Sequence, residues 1–295
     1  MHTLRNKPEG ESELLRVNLE TGAEKTKIIE GGPFKVMAAS SDGRYLACGY
    51  VIGYSPQMFG VDLIDLASGA RKTVLKDPFV FNPHLQFEPR DGKYLLIQYN
   101  RGGEYNSDGT LKKLVGPEGA TLFVASVPDG KIEWLKIGLP YTPGITGHED
   151  WIPGTGEVIL TTGRKQGDGP LPLMKIAPGK DARMLSETAN ISHVHASECG
   201  RYYCGDRYAM PPDDKGRTGE ILVGSIKTGK WAVLCRFGGM SRDMRAGYKQ
   251  MGLWYPDAAP YFSPDLKWVV FNDATSGPPQ ICAASVPESL LEGLI

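Results

Sequence analysis

Four of the five histidines, His84, His148, His193 and His195, fall at the start of strand-like runs, and the spacing of three of them suggests chemistry. Each of these runs turns on a glycine: Gly92, Gly156 and Gly200. His84 and His148 lie eight residues before their glycines, and His193 lies seven before its own. A neutral imidazole can take a proton near pH 7 or donate a lone pair to a divalent metal. A single histidine in such a place would be a strand cap or a solvated side chain. Three in one register point to a shared location. Gln86 follows His84 by two residues and so shares its strand face, and Glu149 and Trp151 follow His148. Two long connections carry cations. Arg101 opens the excursion RGGEYNSDGTLKKLVGPEG, and GGMSRDMRAGYKQMGLWYPDAAP carries Arg242, Arg245, Tyr248, Lys249 and Asp257. Connections of this length in a compact fold are often functional. His2 lies at the terminus and is set aside.

The elements that must position these groups repeat along the chain with a period of about 45 to 60 residues. A polar-to-apolar strand, a turn and a second apolar strand recur as FKVMAASSDGRYLACGY from Phe34 and HLQFEPRDGKYLLIQYN from His84. They return as HEDWIPGTGEVILTT from His148 and HVHASECGRYYCGD from His193. The last copy, APYFSPDLKWVVFND from Ala259, has Leu266 in place of the turn glycine. A third and a fourth strand follow in VDLIDLASGARKTVL, TLFVASVPDGKIEWL, LPLMKIAPGKDARML and EILVGSIKTGKWAVL, joined by the Gly-containing pairs that tight hairpins need. Four antiparallel strands per repeat make a propeller blade, so the expected fold is an all-β, single-domain β-propeller over 1–295. Residues 34–78, 82–140, 144–188 and 192–237 read as complete blades. Residues 257–290 supply three strands, and 11–30 the last two strands of another blade, for five to six cycles. Both ends look partial, so either they combine into a smaller ring or N-terminal sequence precedes the chain. Only ESLLEGLI reads as a helical turn or two. First strands line the axis of a propeller, so residues at their starts converge on one mouth of the channel.

Composition narrows the partners. The formal charge of -1 arises from 33 basic and 34 acidic residues, which gives no reason to expect nucleic acid or an anionic membrane. No apolar run approaches the roughly 18 residues of a membrane span. The five cysteines show no metal-type spacing and the N-terminus has no apolar leader. The expected setting is therefore cytoplasmic, or periplasmic if a leader precedes this chain. GxSxG, HExxH and a phosphate-binding glycine loop are all missing.

The histidine-bearing segments resemble those of the oligogalacturonate lyase family. TGHEDW resembles the family's Gly-His-Glu-aromatic-Trp, and HLQFEP its His-Pro-Gln-Phe-Ser-Pro. HVHASECGRYYCGD and DAAPYFSPD occupy the places of two further family segments, in the same order, from about residue 80 to the C-terminus. The resemblance implies a seven-bladed propeller that cleaves short oligogalacturonides by β-elimination. It places His148 at the family's catalytic base and His193 at a manganese ligand. The family's other ligand places fall on Trp254, Asp257 and Ala259, of which only Asp257 could bind a metal.

Elimination across C4–C5 of a uronate removes a proton α to a carboxylate, which calls for a base at that proton and a cation at the carboxylate. The expected base is His148. His193, with His84 or His195 and with Asp257, would hold a divalent metal (manganese by resemblance) or grip the sugar directly. Without a metal the cation would come from Arg101, Arg207, Arg242 or Arg245. Tyr203 or Tyr248 would protonate the leaving oxygen. His84, Gln86, Trp151, Arg242, Arg245 and Tyr248 are the expected contacts to a uronic oligosaccharide. The competing reading is a non-catalytic propeller that binds carbohydrate or protein and whose metal site has decayed.

Overall fold

The computed structural model describes residues 2–6, 11–30, 34–163, 171–209, 218–238, 247, 257–274 and 278–295. The chain divides into two compact units, Met1–Leu139 and Pro140–Ile295. Both are built from antiparallel meanders in which each strand pairs with the next, the strand plan of a propeller blade.

In the first unit, β1 (His2–Asn6), β2 (Glu11–Val17) and β3 (Glu24–Glu30) form a three-stranded sheet. The sequence predicts only the last two. β1 pairs with β2 through His2 opposite Arg16, so His2 belongs to a strand and not to a loose terminus. Next come β4 (Phe34–Ala39), β5 (Tyr45–Tyr54), β6 (Gln57–Asp65) and β7 (Arg71–Asp77), close to the predicted 34–78. The following sheet is β8 (Gln86–Phe87), β9 (Tyr94–Asn100), β12 (Ala120–Ser126) and β13 (Ile132–Trp134). The long excursion forms a separate hairpin of β10 (Glu104–Tyr105) and β11 (Leu111–Lys113). Phe59, Phe81, Phe87, Ile97 and Phe123 fill the core, and Tyr105 of the hairpin packs on Phe59 and Phe81 with ring centroids 5.5 and 5.1 Å apart.

In the second unit, β14 (Ile145–Ile152), β15 (Glu157–Thr162), β16 (Leu173–Ile176) and β17 (Arg183–Ser186) form one sheet. The next holds β18 (Val194–Ala196), β19 (Tyr202–Ala209), β20 (Thr218–Ser225) and β21 (Trp231–Gly238). A three-stranded sheet of β22 (Tyr261–Phe262), β23 (Trp268–Asp273) and β24 (Gln280–Ser285) follows, and the chain closes with α1 (Glu288–Glu292). The sheet β18–β21 is buried on both faces. Tyr203 and Leu222 join Ile152, Ile159 and Leu173 of the preceding sheet. Their strand neighbours Tyr202, Cys204, Ile221 and Val223 join Phe262 and Phe271 of the following one. Side chains alternate across a strand, so face-to-face stacking of blades demands apolar residues at consecutive positions, as YYC and ILV supply.

The repeated turns rest on one device. Ser40, Ser197 and Ser263 end their first strands, and each accepts the N–H of the residue five places on, Tyr45, Tyr202 and Trp268, at 2.9, 3.0 and 3.0 Å. In the β8–β9 turn Glu88 substitutes, taking the N–H of Gly92 at 3.0 Å. The turn residue is left-handed, with φ of 60° at Gly92 and 67° at Gly200. Leu266, where the glycine is missing, adopts φ 63° all the same, at a backbone cost of roughly 1–2 kcal/mol. It packs with the second-unit core in partial compensation. Among the described residues no helix is long and apolar enough to cross a membrane.

Candidate functional site

His148 stands in an irregularity of β14. Regular pairing with β15 breaks between Ile145 and Glu149, and Gly147 takes φ 87° there. Such bulges re-aim side chains, commonly beside active sites, and the Thr-Gly-His-Glu run is what builds this one. The His148 ring lies edge-on to that of His193, with centroids 4.2 Å apart.

His193 precedes β18 and is fixed by Asp206 of β19. Its backbone N–H donates to Asp206 Oδ1 at 2.8 Å, and its Nδ1 lies 2.8 Å from Oδ2 and 3.0 Å from Oδ1. Asp206 is fully buried and also accepts the Ala259 N–H at 3.0 Å and the Tyr208 hydroxyl at 3.1 Å. A carboxylate on Nδ1 fixes the ring orientation and directs Nε2 outward. That atom faces Asp257 Oδ2 at 3.9 Å, and the Tyr208 hydroxyl is 3.5 Å from Asp257 Oδ1. Burial disfavours the charged imidazole of His193, but the hydrogen bond to Asp206 and the charges of Asp206 and Asp257 outweigh it, and its pKa rises above the ordinary histidine value.

Two residues further along the same strands lies a second pair. His195 Nε2 is 3.9 Å from Asp150 Oδ2, and His195 Nδ1 accepts the Phe262 N–H at 3.4 Å. Burial lowers the His195 pKa. Burial raises the Asp150 carboxyl to about 7, against the opposing N–H groups of Ala196 and Trp151. An acid whose folded pKa exceeds its unfolded value binds the extra proton in the native state. It therefore contributes a loss of stability as pH rises from about 4 through 7. Thermal melts across that range should fall more steeply for the wild type than for Asp150→Asn, and parallel profiles would contradict this assignment.

The other expected residues are distributed as follows. His84, Gln86 and Arg101 belong to the first unit. His84 adopts φ 42° and its Nε2 is 3.0 Å from Asn82 Nδ2. Gln86 lies on β8, half-buried. Arg101 donates to three backbone carbonyls, Gly119, Leu139 and Glu118, at 3.0, 2.7 and 2.6 Å, which makes it a loop staple, not the cation expected at a substrate. Trp151, expected against a sugar, is 2% exposed and belongs to the core, because strand alternation turns it inward. Arg207 points to the sheet face opposite Asp206. There it donates twice to Glu220, at 2.8 and 2.5 Å, and stacks on Trp231 at 4.7 Å. Arg242, Arg245, Tyr248 and Trp254 lie outside the described residues.

Tyr203, one of two expected proton donors, is fully buried and covers Gly224, where a Cβ would collide with its ring. Its hydroxyl has no hydrogen-bond partner among the described residues. Tyr203→Phe should therefore retain any activity and gain about 1 kcal/mol of stability; a loss of turnover in that variant would restore the tyrosine to the chemistry. The residues that sequence reasoning passed over are Asp150, Asp206 and Tyr208. The closing Gly-Asp of the His193 segment was the available signal for Asp206.

Manganese favours several oxygen and nitrogen ligands, and the described residues do not assemble such a set. His193 Nε2 and the Asp257 carboxylate face one another, with Asp206 on Nδ1 as the orienting partner a metal-bound imidazole commonly has, but His195 is held between the Phe262 N–H and Asp150, so these residues bring only two donors together. Position 259 offers a methyl group and position 254 an indole. Among the described residues no group of three or more His, Cys, Asp or Glu side chains could hold a metal ion.

The fold is that of a β-propeller. It is similar to an oligogalacturonate lyase in complex with manganese, with a TM-score of 0.70 and 17% identity over 98% of this chain and 75% of that one. An oligogalacturonate lyase from Vibrio parahaemolyticus gives a TM-score of 0.71 and 18% identity, with the same 98% and 75% coverage. The β-propeller domain of the Trilobed protease from Pyrococcus furiosus gives 0.56 and 13%, covering 96% of this chain and 77% of that one. No family model matches the sequence, and no curated protein matches it.

Proposed function

We propose that this propeller is a lyase that cleaves uronate-containing oligosaccharides, of the oligogalacturonate kind, by β-elimination with a histidine base. The observation that carries the reading is the contact between the His148 and His193 rings, 4.2 Å apart, with His193 fixed by a buried carboxylate. Two imidazolium rings at that distance would repel, which disfavours charging both at once. Asp206 and Asp257 favour the charged form on His193. His148 is the ring proposed to take the α-proton of a uronate.

His193, when protonated, would supply positive charge toward the substrate carboxylate, the task first expected of a metal or of Arg101 and Arg207. Arg242 and Arg245 remain in the sequence as further cations for that carboxylate. The Tyr208 hydroxyl, within reach of both Asp206 and Asp257, replaces Tyr203 as the proposed donor to the leaving oxygen. Every step balances without an added reactant. The C5–H bonding pair forms the new C4–C5 double bond, the C4–O bond breaks, Tyr208 gives its proton to the leaving oxygen, and the proton taken by His148 is passed back to Tyr208 through water.

The test is to incubate the purified chain with oligogalacturonates and follow the absorbance of the new C4–C5 double bond. Protein treated with EDTA should retain its rate, since the described donors do not assemble a metal site. Loss of rate on chelation, with recovery on adding manganese, would reverse the metal-free reading. The replacement of ligand positions by Trp254 and Ala259 favours the second reading, a carbohydrate-binding propeller without catalysis. That reading predicts binding with no rise in absorbance.

A further inference from the structure

The second unit contains a cavity of about 490 Å³ of whose lining the proposed chemistry uses Tyr208 alone, a volume within the roughly 300–1,000 Å³ of small-ligand sites. Asn190, Arg207, Tyr208, Thr218, Glu220 and Arg236 line it. Its charged row crosses three strands, because Arg207 pairs with Glu220 and Glu220 with Arg236 in the sheet register. Asp206, the anchor of His193, is the strand neighbour of Arg207. Tyr208 belongs to both places: it lines the cavity, and its hydroxyl reaches Asp206 and Asp257.

We propose that this cavity is a subsite for a second sugar ring of the substrate, recognised through its carboxylate. Two guanidinium groups share the single carboxylate of Glu220, which leaves one positive charge for a monoanion. Arg207 lies over the Trp231 ring and directs Nε and Nη2 to Glu220. Arg236, whose side chain is 85% exposed, gives only Nε to Glu220, at 3.4 Å. Among the described residues, its terminal nitrogens and Arg207 Nη1 therefore remain for a planar anion, the geometry guanidinium groups recognise best. The neutral groups suit sugar hydroxyls. Asn190 uses its oxygen on the Leu171 N–H at 2.9 Å, so its amide N–H groups are available as donors, and Thr218 adds a hydroxyl. The choice of a uronate over another carboxylate rests on the lyase reading of the neighbouring histidines, whereas the anion preference rests on the arginines alone.

The experiment titrates the full chain and its Arg236→Gln variant, at low salt, with trigalacturonate and with its fully methyl-esterified form. Arg236 is on the surface, so the variant should fold. The expected result is that the acid binds about tenfold more weakly to the variant, while the ester binds both proteins equally. In turnover assays KM for the acid should rise by the same factor with kcat unchanged. Equal affinity of the two proteins for the acid, or an equal loss for acid and ester, would overturn the subsite. So would failure of the wild type to bind the acid. If the Arg236-dependent preference holds but no unsaturated product forms, the subsite stands and the lyase reading falls. If product forms at equal KM in both proteins, the reverse follows.

Discussion

Asp206→Asn is expected to lower turnover by roughly 10²–10⁴-fold, the range seen when the carboxylate behind a working histidine is neutralised. Asp206 receives four donors: the His193 N–H, His193 Nδ1, the Ala259 N–H and the Tyr208 hydroxyl. An amide presents one acceptor oxygen and an NH₂ group in place of the second. The NH₂ group would face either the imidazole Nδ1 or the Ala259 N–H. In the first case His193 adopts the other tautomer, and its positive charge loses the buried partner that holds it. The substitution leaves a buried donor without an acceptor, at a cost of about 1–3 kcal/mol, so the variant melts lower yet folds. Rates of double-bond formation, with a thermal melt as control, decide the matter. Near-wild-type turnover from a folded variant would remove Asp206 from the site.

His148→Ala should be comparably severe for turnover, about 10²–10⁴-fold for loss of a general base, but should leave the fold intact. The side chain sits in a bulge, outside the regular β14 pairing, and its removal leaves the backbone pairing of β14 with β15 in place. The contrast with Asp206→Asn is informative: one variant loses rate alone, the other rate and stability together. Binding of a uronic oligosaccharide to His148→Ala should persist, since the proton transfer belongs to the transition state and not to the ground-state complex. Turnover equal to the wild type would show that another group takes the proton.

The blade boundaries were legible in the chain because the turn chemistry repeats. Ser40, Ser197 and Ser263, each three residues before the turn position, close the same hydrogen bond. Even Leu266 obeys the register at positive φ. β1 was not legible, since His-Thr-Leu-Arg-Asn carries one strong apolar residue and is a strand by virtue of its pairing with β2.

The candidate site was legible to one side chain's depth. His148 and His193 share a register, and adjacent first strands bring them into contact. What holds His193 is a cross-strand bond from a residue 13 positions away, which no local motif announces. Parity explains where two of the expected residues point. Arg207 adjoins Asp206 in the chain and therefore points to the opposite face, and Trp151, two residues past Glu149, turns into the core. Arg101 looked available because it opens a long excursion, yet that same excursion surrounds it with carbonyls.

The most direct measurement is the mass of the fragments released from a galacturonate oligosaccharide of defined length. An imidazole taking the carbon-bound proton predicts two products whose masses sum to that of the substrate, one of them ending in an unsaturated ring. Fragments that together carry one added water would mean hydrolysis, and substrate recovered whole would mean no catalysis; either result contradicts the account.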